Sequence, residues 1–140
     1  MSSKLIGRIL GVASGLAAMF LLVAACHHLG WAKTSTSQNY HYTETISNCL
    51  SVGAVLAYVL VAAALGYLLR TPPFIALGMM LPWPLAAAVE IAHDKTNHNL
   101  LPFEVIMVWA PAFFVAWGPA RYAQKLRARI EQPAAPPVIT

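Results

Sequence analysis

Apolar residues along this chain come in long unbroken runs, not in alternating or single-stripe patterns. Four runs stand out, at about 9–26, 50–69, 74–92 and 100–120. A helix needs roughly 20 mostly apolar residues to cross the hydrocarbon core of a bilayer, and each run approaches that length. The first two are uncharged. Glu90 is the sole charge of the third, near its end, and Glu104 the sole charge of the fourth, near its start. Helices that are apolar on all faces suit lipid and bundle packing better than the surface of a soluble domain. The pattern predicts an all-α integral membrane four-helix bundle filling one domain over 1–130. Residues 131–140, with Pro133, Pro136 and Pro137, are expected to be a disordered tail.

Helix breakers fall where four spans need them. Thr71-Pro72-Pro73 follows Arg70 and predicts a tight link between spans two and three. The polar run 94–99 supplies turn and capping residues before the fourth span. Pro102 fits the first turn of that span, where no intrahelical N–H is lost. Within the third span Pro82 and Pro84 flank Trp83, predicting a kinked helix near Pro82. Pro111 and Pro119 lie in the fourth.

Composition sharpens this picture. Of 140 residues 59% are apolar and only 10% charged, whereas a soluble domain carries about 25% charge. Mean hydropathy is +0.62. An ordinary water-soluble enzyme, a disordered chain and a disulfide-stapled miniprotein are all poorly matched. Lys4, Arg8, Arg70, Arg121, Lys125, Arg127 and Arg129 fall on one side of the expected topology, and only Lys33 and Lys95 on the other. Such asymmetry near span ends places both termini in the cytoplasm by the positive-inside rule. The net charge of +4 is then a matter of topology, and no nucleic-acid partner is needed. The basic stretch Arg121–Arg129 is expected to anchor the topology as a cytoplasmic helix extension, in reach of anionic headgroups. Val23-Ala24-Ala25-Cys26 after a basic start has the form of a lipoprotein cleavage site. Three further spans favour a retained signal-anchor instead.

Small residues indicate how the helices would associate. Ser3, Gly7, Gly11 and Gly15 recur every four residues, and Gly53, Ala57 and Ala64, or Ala62 and Gly66, offer similar faces on span two. In lipid, close backbone approach along such faces replaces the hydrophobic force. The Gly7/Gly11/Gly15 face suits a helix of the same chain, a second copy or a membrane-protein partner.

Candidate chemistry lies at the outer end. All five histidines fall there, with Glu44, Glu90, Asp94 and Glu104, while Glu131 is cytoplasmic. The outer loop, about Gly30 to Asn48, is polar and long enough to cover the bundle mouth. Glu90, His93 and Asp94 share a helical face at i, i+3 and i+4. A carboxylate-bridged di-metal bundle would need a second Glu-x-x-His step and two further carboxylates, so this step with Glu104 does not support one. A mononuclear site would take His93, Glu90 and one of His27 or His28, and paired histidines could instead hold a b-type haem. The bland alternative is headgroup-level anchoring, with Glu104 complementing a helix N-terminus. Glu90 lies deepest and is the residue to watch. Cys26 and Cys49 end their spans on the oxidising side, where a disulfide or two separate thiols are both compatible with the pattern. The tryptophans and tyrosines read as interfacial or packing aromatics. No phosphate loop, catalytic triad order or H-E-x-x-H is present.

The stretch Asn97-His98-Asn99-Leu100-Leu101-Pro102-Phe103-Glu104 resembles a segment of small uncharacterised bacterial four-span membrane proteins. The resemblance implies a structural corner formed by His98, Asn99, Pro102 and Glu104, and no activity transfers with it. Three classes of function follow. The chain asks least as an accessory or interaction subunit of the bacterial inner membrane. A metal- or haem-binding protein at the outer face is the alternative. A minimal oligomeric transporter is the third, without the inverted repeat of broken helices that transporters use.

Overall fold

A computed structural model describes residues 3–30, 52–85, 88 and 105–132 of the chain. Among them are four α-helices: α1 (Ser3–His28), α2 (Val52–Leu69), α3 (Pro72–Met80) and α4 (Ala110–Glu131). A π-helical turn, Val105–Trp109, leads into α4. The described residues contain no strand, so the all-helical expectation holds. Two of the helices, α1 and α2, are long and apolar enough to cross a membrane. Helix α4 is apolar in its first half and basic in its second.

The packing order follows from the partners of each helix. α1 packs chiefly on α3 and α2 chiefly on α4, while α3 also packs on α4 and α1 on α2. Gly7 and Gly11 lie beside Thr71, and Gly15 beside Gly78 and Met79, so α1 and α3 run parallel. Tyr58 contacts Ala112 and Gly66 contacts Ala120, so α2 and α4 run parallel as well. With the tight turn between α2 and α3, the helices alternate in direction. The start of α1 and the end of α4 therefore share one end of the molecule.

Small residues make the helix contacts. The buried positions are Gly11, Gly15, Met19 and Cys26 on α1, and Ala54, Tyr58, Ala62 and Gly66 on α2. Facing them are Ile75, Ala76, Gly78 and Met79 on α3, and Ala116, Ala120 and Ala123 on α4. A Cβ on Gly15 would run into the Ile75 carbonyl oxygen, and one on Gly78 into the Val12 carbonyl oxygen. Each glycine thus makes room for the other helix's backbone. Ile75 and Met79 are fully buried among them, but many larger apolar side chains point outward: Leu21 is 72% and Leu60 68% exposed, whereas Ala62, Ala116 and Ala120 are fully buried. Spacing four residues apart on one helical face is what allows this sorting.

The α2–α3 link is only two residues long. Arg70 closes α2 in the left-handed region, at φ 56°, donating its N–H to the Gly66 carbonyl at 3.3 Å. A non-glycine residue there costs roughly 1–2 kcal/mol, so other contacts must hold it. Gln124 donates to the Arg70 carbonyl at 3.0 Å, and Glu131 pairs with its guanidinium. Pro72 and Pro73 then open α3 where their missing N–H groups cost nothing. The next two donors, on Phe74 and Ile75, both reach the Thr71 carbonyl at 3.1 Å. After Met80 the chain keeps helical geometry: the Leu81 N–H donates to the Leu77 carbonyl at 3.0 Å and the Leu85 N–H to the Leu81 carbonyl at 3.2 Å. Pro82 and Pro84 remove two N–H donors from this stretch.

Candidate functional site

The proline-rich helical segment after α3 brings Trp83, and the π turn before α4 brings Met107 and Val108, to a cavity of about 230 Å³. Helices α1 and α2 complete it with Met19, Cys26, Val55 and Tyr58. Such π turns recur at functional sites. The walls are almost wholly apolar. The Tyr58 hydroxyl is engaged by the wall itself, donating to the Ala112 carbonyl at 2.9 Å. A dry cavity of ~150 Å³ holds a benzene-sized guest, so this one accommodates a branched or aromatic side chain or a short acyl segment. Met107, 57% exposed, marks where it reaches the surface.

The opposite end is cationic. All seven described Lys and Arg residues, Lys4, Arg8, Arg70, Arg121, Lys125, Arg127 and Arg129, gather at the end shared by the start of α1 and the close of α4. Lys33 and Lys95 lie outside the described residues. Arg127 is the main tie. Its Nη1 donates to the Tyr67 carbonyl at 2.8 Å and the Leu68 carbonyl at 3.2 Å, and its Nε to Glu131 at 2.7 Å. Those carbonyls belong to the last turn of α2, which has no intrahelical donor to offer them. The Arg127 and Arg70 hydrogen bonds hold the Glu131 carboxyl below its ordinary pKa. Three guanidinium groups lie over rings: Arg8 on Phe74, Arg121 on Trp117 and Arg127 on Tyr67, all at 5.2–5.3 Å.

The expected site residues divide unevenly. Glu90, His93 and Asp94, the corner His98, Asn99, Pro102 and Glu104, and Cys49 all lie outside the described residues. His27 and His28 end α1 exposed, next to the buried Cys26. No group of three potential metal ligands forms among the described residues. Of the glycine face, Gly11 and Gly15 are buried on α3 of the same chain, and Gly7 stands beside Thr71. The sequence reading missed Tyr58, Arg127 and Gly78. A tyrosine in the middle of an uncharged span was a visible signal for the first. The other two depend on which helix lies alongside. Compared with known protein families, curated proteins and solved structures, the chain matches none.

Proposed function

We propose that this chain is a four-span protein of the bacterial inner membrane with both termini cytoplasmic. In this reading it acts as an accessory subunit that binds another membrane protein. The large apolar side chains on the outer surface carry the reading. Leu21, Leu56, Leu60, Leu68 and Phe114 face outward, while Gly and Ala at the helix contacts pack beside a few larger buried residues, Met19, Tyr58, Ile75 and Met79. A soluble bundle instead buries its large apolar residues. The concentration of cations at one end agrees with a cytoplasmic location for that end. The apolar cavity reached at Met107 would seat an apolar side chain of the partner.

Photo-crosslinking in intact membranes tests the partner. A benzophenone amino acid at Met107 should yield one discrete protein adduct, and Val55→Phe, which fills the cavity, should abolish it while the protein stays in the membrane. Absence of a protein adduct, or an adduct indifferent to V55F, contradicts the reading. A metal or haem site on His27 or His28 with Glu90 and His93 is the alternative class. Metal analysis and an absorption spectrum of purified protein discriminate it.

A further inference from the structure

At the cationic end, α4 carries a ladder of four residues on one face: Phe113, Trp117, Arg121 and Lys125, each four positions from the last. They span about 18 Å at 1.5 Å per residue. The ladder changes from apolar to charged along its length. Phe113 stacks on Trp117 with centroids 6.4 Å apart, and Arg121 lies over the Trp117 ring at 5.2 Å. Opposite it stand Pro72 and Pro73, the first residues of α3, and together they form a groove of about 440 Å³.

Charge at this end is unbalanced. Seven cations face one carboxylate among the described residues, and Glu131 is already shared by Arg70 and Arg127. Arg121 and Lys125 have no carboxylate partner among the described residues. Gln124, beside them, is committed to the Arg70 carbonyl. Nor does the start of α3 attract an anion by itself. Its first two residues have no N–H, and the next two donors are spent on Thr71. The groove therefore offers two cationic side chains without a described carboxylate partner at one end and an aromatic floor at the other.

We propose that this groove binds one anionic phospholipid, with the phosphate at Arg121 and Lys125 and an acyl chain along Trp117 and Phe113. The inference rests on the membrane reading above. In it the aromatic half of the ladder lies at hydrocarbon depth and the charged half at the headgroups. Basic pockets between helices on the cytoplasmic side are suited to such headgroups. Arg121 would contribute a planar fork to the phosphate and Lys125 a point charge.

The test begins with full-length protein extracted by mild detergent from carbonate-washed membranes. Recovery in the soluble fraction instead would overturn the membrane reading itself. Copurifying lipid is then counted by mass spectrometry after reconstitution in equal mixtures of phosphatidylglycerol and phosphatidylcholine. Wild type should retain about one phosphatidylglycerol per chain. R121Q/K125Q should retain at least tenfold less. K4Q/R129Q, which removes equal charge from the same end, should retain as much as wild type. Equal loss in both double variants would reduce the effect to the general positive field. Equal retention of the two lipids, or a wild-type site displaced by millimolar inorganic phosphate alone, would also overturn the proposal. A fold check by thermal melting accompanies each variant, and Trp117→Leu supplies an independent arm. It keeps both charges and should weaken retention by removing the aromatic floor.

Discussion

Gly66 and Gly118 are both glycines near the α2–α4 contact, yet they have opposite surroundings. A Cβ on Gly66 would run into the backbone of Ala120, whereas one on Gly118 meets nothing within 4 Å. Backbone cannot yield as a side-chain end can, so Gly66→Ala should cost about 1–3 kcal/mol, the usual range for overpacking. Gly118→Ala should be neutral or gain up to about 1 kcal/mol from lower unfolded-chain entropy. Thermal melting in one detergent compares them, with a lower midpoint predicted for G66A alone. Equal midpoints would mean that the two helices do not touch at Gly66. The four-residue spacing of small residues was legible in the sequence because it is a local property. What each glycine meets was not, since Gly15 and Gly78 are far apart in the chain and define each other's space.

At the scale of elements, the turn between α2 and α3 is held by the end of α4. Arg127 satisfies the Tyr67 and Leu68 carbonyls, and Glu131 joins Arg127 to Arg70. Arg127→Ala should free these carbonyls and destabilise the bundle by about 1 kcal/mol, a modest figure because the site is solvent-exposed. Arg127→Lys keeps the charge but loses the fork, so it should recover only part of that stability. Hydrogen exchange at the end of α2 would read the difference, and equal protection in R127A and wild type would contradict it. The Glu131 carboxyl has a lowered folded pKa, so its contribution is fully present above the ordinary carboxylate range. It is lost as pH falls through the folded value. The tight α2–α3 link and the Pro72-Pro73 start of α3 were readable from punctuation residues. The role of Arg127 was not, because a basic run at a span end has the same appearance whether it anchors topology or caps a neighbouring helix. The π turn had no local signature in the sequence either.

For the whole molecule, the helices place the start of α1 and the end of α4 at one end, together with every described cation. The exterior is rich in large apolar side chains, and in lipid such a surface needs no cover. In water the same surface would form an apolar patch far larger than monomeric proteins expose. The all-helical class was legible because long apolar runs are summed over many residues. The outer-end cluster around Glu90 and His93 lies outside the described residues, and its chemistry is unchanged as a hypothesis. Cellular topology tests the account most directly. With a reporter fused after Thr140, the protein should remain in the membrane pellet after a carbonate wash, and the reporter should be active only in its cytoplasmic form. A carbonate-soluble protein, or a reporter active only in its periplasmic form, would contradict the account.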